Sequence, residues 1–117
     1  MDETERRIRA VLPARQRWAA LSAAAEDDGD AGYFWEVALE VLVEVRDFAC
    51  ADRVMVEHVI PGAEFSGQPD LMFLHAQALR GLGRSTEAIR CVRSALQDMW
   101  WHEPYTELLA ALLAEAP

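Results

Sequence analysis

Apolar side chains recur along most of this chain at three- and four-residue steps, the spacing that gathers them on one face of a helix. The clearest stretch is Pro69 to Met99. There Leu71, Met72, Leu74, His75, Ala78, Leu79 and Leu82 trace one helical face, with Pro69 and Asp70 suited to its first turn. The pattern stops at Gly81-Leu82-Gly83, where glycine can take the left-handed backbone that ends a helix. Ser85 or Thr86 then offers a cap for a second helix carrying Ala88, Ile89, Val92, Ala95 and Leu96 inward. An antiparallel helical pair is predicted.

Upstream, Ile8, Val11 and Leu12 make one side of a short basic helix interrupted at Pro13, and Ala14 to Ala25 favours helix by composition. Glu26 to Gly32 is an acidic, glycine-bearing loop. Tyr33 to Arg46 is ambiguous by pattern, since Val37, Leu39, Val41, Val43 and Val45 alternate as a strand would. The segment far exceeds the ~5 to 6 residues of a usual strand, no similar run exists to pair with it, and Glu36, Glu40 and Glu44 return every four residues. It is therefore read as a helix, apolar almost all round apart from that stripe and buried between its neighbours. Asp52 to Ile60 is its expected partner, with Val54, Met55, His58 and Val59 inward and Pro61-Gly62 closing it. Glu103 to Ala116, with Tyr105, Leu108, Leu109, Leu112 and Leu113, reads as a last amphipathic helix.

These residues carry a family resemblance. Ala76, Leu79, Leu82-Gly83-Arg84, Glu87-Ala88-Ile89 and Ala95-Leu96 resemble the tetratricopeptide repeat, with small residues that let two helices approach closely. A weaker earlier copy has Trp35 at the first-helix tryptophan, Leu42 matching Leu79, Asp47-Phe48 at the turn and Ala51 matching Ala88, an offset of 88 − 51 = 37 residues against the family's ~34. Leu39, Arg46 and His58 depart from the pattern, standing where it has a small residue, the turn glycine and the late alanine. The resemblance implies an all-α fold, a short right-handed superhelix of antiparallel helix pairs with six or seven helices in one domain. Residues 1–31 would hold N-terminal helices and the acidic loop, 32–68 a degenerate repeat, 69–102 the clear repeat and 103–117 a capping helix.

The first helix of each repeat in that family lines a concave groove. Carried across, Tyr33, Glu36, Glu40, Val43 and Glu44 face it from one copy and Phe73, Gln77 and Arg80 from the next. Like charges four apart on a helix cost about 0.2–0.5 kcal/mol per pair, a penalty a cationic partner relieves. The expected ligand is an extended or helical protein segment bearing Arg or Lys and an apolar anchor, held by Phe73 and Tyr33. A merely solvated acidic face is the competing reading of the stripe. Trp100 and Trp101 mark a second interface wherever the terminal helix leaves them uncovered.

Composition bounds the function. The 117 residues, 52% hydrophobic, suffice for one core, and the formal charge of −9 disfavours nucleic acid. Residues 1–17 carry +2, from five arginines against three acids, and the rest −11, from six against 17. The early arginines form either a solvated helix face or an arm that docks on an acidic surface of this or another copy. Lysine is absent, which fits an alanine- and arginine-heavy bacterial coding style. No run approaches the ~20 apolar residues of a membrane span and no signal core follows the N-terminus, so a cytoplasmic location without membrane partners is expected. Cys50 and Cys91 are expected as reduced, partly buried thiols.

Gly81 to Thr86 lacks the lysine and preceding strand of a phosphate loop, and Thr106 stands where a zinc-protease string after His102-Glu103 needs its second histidine. His58 and His75 read as core histidines, so no catalytic, metal or cofactor constellation is expected. A chain near the minimum of about three repeats points to oligomerisation or a partner for support. The expected role is a non-enzymatic adaptor or scaffold. The alternative is a chaperone shielding an export substrate, because small acidic chaperones of type III secretion resemble this chain in size, charge and fold.

Overall fold

A computed structural model describes residues 2–61, 69–98 and 103–115, and among these the chain forms seven α-helices and no strand. They are α1 (Glu3–Val11), α2 (Arg17–Glu26), α3 (Ala31–Glu44), α4 (Phe48–Val54), α5 (Pro69–Gly81), α6 (Ser85–Asp98) and α7 (Glu103–Glu115). The ambiguous valine-rich segment is α3, so the glutamate period, and not the alternation, reports its conformation. Aspartates open three of the helices. Asp2, Asp30 and Asp47 accept hydrogen bonds from the backbone amides of Glu5, Tyr33 and Cys50, filling orphan donors of the first turns of α1, α3 and α4.

The helix expected over 52–60 starts four residues earlier, at Phe48, because Asp47 caps it there. Its last turn widens into a π-helix over Met55–Val59, where the Ile60 amide donates to the Met55 carbonyl at 2.8 Å. Val54, Met55 and Val59 point inward as expected. His58 is exposed on one side, and its ring lies flat on Trp35 at 3.9 Å between centroids.

The two central turns are built alike. After α3, the Asp47 amide donates to Leu42 O and that of Arg46 to Val43 O; after α5, the Arg84 amide donates to Leu79 O and that of Gly83 to Arg80 O. Both are the double hydrogen bond that closes a helix around one left-handed residue. That residue is Gly83 at φ 76° in one turn and Arg46 at φ 64° in the other. Every equivalent pair of positions is 37 apart, the offset already visible between Ala51 and Ala88.

Asp2 meets Tyr33 near the starts of α1 and α3, and Arg9 meets Glu44 near their ends. Phe73 meets Tyr105 near the starts of α5 and α7, and Arg80 meets Glu115 near their ends. The end of α3 also lies beside the end of α5, where Val43 and Glu44 face Gln77 and Arg80. The odd-numbered helices thus run in the same direction, side by side. The even-numbered helices pack behind them, α4 between α3 and α5 and α6 between α5 and α7.

Two apolar clusters fill the interior. One gathers Ile8, Leu21, Phe34, Leu39, Leu42 and Met55 from α1 to α4 and takes Leu71 and Ala78 from α5. The other gathers Ala76, Leu79, Ala88, Val92, Ala95, Tyr105 and Leu112 from α5 to α7. Helix α5 is the shared wall, which is why its apolar residues cover more than one stripe.

Three of the five early arginines dock on the chain's own acids, the second of the two expected readings, while Arg6 and Arg15 are exposed. Arg9 pairs with Glu5 at 2.8 Å and with Glu44 at 2.5 Å, Arg7 with Asp28, and Arg17 with Asp47 at 2.6 Å while also donating to the Leu12 carbonyl. With Ile8 fully buried, α1 is docked on the chain's own acids. No helix among the described residues is long and apolar enough to cross a membrane.

Candidate functional site

The aligned odd helices leave a recess along one side of α3. Its first part, a cleft of about 360 Å³, is lined by Glu5 and Arg9 of α1, Val37, Glu40, Val41, Val43 and Glu44 of α3, and Leu74 of α5. The second part, about 740 Å³, is lined by Val43, Glu44, Arg46, Phe48, Gln77, Arg80, Gly81 and Glu115. Val43 and Glu44 belong to both. The floor is apolar, with Val37 and Val41 buried in the core beneath it, and the rims carry charge.

That charge is mostly compensated. Glu44 holds Arg9, and Arg80 makes a two-toothed contact with the Glu115 carboxylate, its Nε lying 3.0 and 3.1 Å from the two oxygens. Those hydrogen bonds hold the Glu115 carboxyl below the usual range and the Arg80 guanidinium above it. Glu40 is different. It is exposed on the cleft wall and makes no ion pair among the described residues. Its charge acts on Tyr33, whose hydroxyl is raised chiefly by donating a hydrogen bond to Asp2, with Glu40 adding a smaller push.

The sequence-derived groove residues fall in three places. Glu40, Val43, Glu44, Gln77 and Arg80 come together along the two clefts. Tyr33 is exposed at the start of α3 and tied to Asp2, and Glu36 is half-buried on α3 without lining either cleft. Phe73 is turned away from α3 and packs edge-on against buried Tyr105 at 5.3 Å, within the second apolar cluster. Trp100 and Trp101 lie outside the described residues, as do Gly62 and the loop through Ser66 and Gln68. Glu5, Arg9, Phe48 and Glu115 complete the walls and come from elements outside the repeat pattern or from its turn. The early basic charge was the one signal of α1's place.

Chemistry is sparse elsewhere. Among the described residues, no group of three or more His, Cys, Asp or Glu is placed to hold a metal ion. Burial pushes the Cys50 and Cys91 thiols up to about 11, and the Cys91 thiol donates to the Met72 carbonyl at 3.4 Å. Both are free and stay protonated near neutral pH, where a thiol is a poor nucleophile. His75 bonds Asp52 at 2.8 Å, and Arg84 reaches the other Asp52 oxygen at 2.9 Å, tying α4 to α5 and to the turn that leads into α6. Burial raises the Asp52 carboxyl, but these two hydrogen bonds outweigh it and leave the group below its ordinary value.

No protein-family model, no curated protein and no solved structure matches the chain.

Proposed function

We propose that this protein is a non-enzymatic interaction module: a short, tetratricopeptide-like superhelix whose recess along α3 holds a segment of another polypeptide. The superhelix reading is supported by side-by-side odd helices, even helices behind them, and two turns with the same hydrogen bonds 37 residues apart. The binding reading rests on one observation. Glu40 is a carboxylate without an ion pair among the described residues, beside an apolar floor of Val37, Val41 and Leu74, in a cleft whose other charged residues, Glu5, Arg9 and Glu44, pair with one another.

Such a surface fits a helical or extended segment carrying an arginine or lysine for Glu40 and an aliphatic side chain for the floor. Glu44 is the secondary acceptor, because its bond to Arg9 is exposed and readily exchanged. Affinity capture from the native cell with wild-type bait and with a Glu40→Lys bait tests the reading. Glu40 is exposed and makes no side-chain hydrogen bond or ion pair among the described residues, so the variant is expected to keep its helicity by circular dichroism. The reading expects at least one partner retained by wild type and lost by the variant. Identical captures by the two baits would remove the recess from consideration.

A further inference from the structure

The recess calls for arginine beside an apolar side chain on a helix, and the chain displays that combination itself. Most of its arginines are held by carboxylates. Arg90 and Arg93, one turn apart on the exposed side of α6, make no ion pair among the described residues. Between them and α7 lies a cleft of about 460 Å³, where Ile89 and Leu113 supply the apolar part. Leu113 is 47% exposed, a large aliphatic left in water in the cleft that Arg90 and Arg93 also line. In a chain of net charge −9, the charged residues lining this cleft are both arginines.

We propose that the α6–α7 face of one copy docks into the α3 recess of a second copy, a head-to-tail contact with Arg90 or Arg93 meeting Glu40. The inference rests on the interaction reading above and names an occupant for that site. Because donor and acceptor surfaces differ, the contact is heterologous: it leaves one free recess and one free face, so chains can grow beyond dimers. The surfaces are small and exposed, placing the affinity in the weak, transient class, and salt screens such a contact. A native partner with the same chemistry would compete with the second copy.

Sedimentation equilibrium of the full chain tests this, using wild type, Glu40→Arg, and the double variant Arg90→Glu/Arg93→Glu. At 0.15 M salt and several hundred micromolar protein, the wild-type weight-average mass should at least double from 13.1 kDa and fall back towards it in 1 M salt. Each variant alone should stay at the monomer mass. Their equimolar mixture should associate again, since each supplies the surface the other lacks. A wild type that stays monomeric throughout, or variants that associate as wild type does, overturns the proposal. If the native partner is still captured through Glu40 while wild type stays monomeric, the recess reading stands and only this inference fails.

Discussion

Two residues carry conformations that decide the hairpins. Gly83 occupies the left-handed region, and nothing lies within 4 Å of the position a Cβ would take. The cost of Gly83→Ala is therefore conformational alone, about 1 kcal/mol, and should appear in urea unfolding with no change in m. Gly81 is the opposite case. Its helix backbone is ordinary, but an added Cβ would sit 2.1 Å from the Phe48 ring, so Gly81→Ala must displace that ring. A loss of about 1–3 kcal/mol is expected, and it should shrink markedly when Phe48 is already Ala, as a double-mutant cycle will read. The glycine-rich turn was legible in the sequence, but which glycine bends the chain and which makes room for a neighbour depends on α4, a distant segment.

His58 adds a pH dependence. Burial against Trp35 favours its neutral ring and lowers its pKa below the ordinary value near 6.5. The unfolded chain thus binds this proton more readily, so the stability the neutral ring contributes is complete above about pH 7 and is lost as pH falls through the mid-6 range. Replacing His58 by Phe keeps a flat ring and should reduce the difference in melting temperature between pH 7.5 and 5.5. A variant with the same difference as wild type would assign the effect elsewhere.

At the scale of the helix, small side chains set the spacing. Ala76, Ala78, Ala88 and Ala95 are essentially buried on α5 and α6, where larger residues would force the axes apart. Ala88→Leu is expected to cost about 1–3 kcal/mol by overpacking, read as a lowered midpoint in denaturant. The helical spacing of those alanines was visible in the sequence because their role is local to one hairpin. The α3–α4 pair was harder to read, since Arg46 fills the left-handed position and Asp47 starts α4 four residues before the apolar pattern does. Phe73 illustrates a further limit. Its spacing is compatible with either side of α5, and only the arrival of Tyr105 on α7 decides which cluster takes it.

For the whole molecule, the decisive feature is how α1 and α7 finish a surface begun by α3 and α5. The run of glutamates on α3 pointed to an acidic stripe, and the structure divides it: Glu44 engaged by Arg9, Glu36 half-buried, and Glu40 left to face the recess. Pairings of that kind join residues more than thirty positions apart, so no local pattern encodes them. The same long-range pairing sets acid stability. Asp52 links α4 to α5 and to the turn after it through His75 and Arg84, and its lowered pKa means that this contribution is present above about pH 4 and is lost as pH falls below it. Asp52→Asn should lower the melting temperature at pH 7 while narrowing the loss between pH 5 and 3.

The most direct test is to map backbone amide shifts of the isotope-labelled protein as its captured partner is added. Perturbations should concentrate at Glu40, Val43, Glu44 and Gln77 and vanish in the Glu40→Lys variant. Shifts confined to α2 and α4, unchanged by that substitution, would contradict an interaction site along α3.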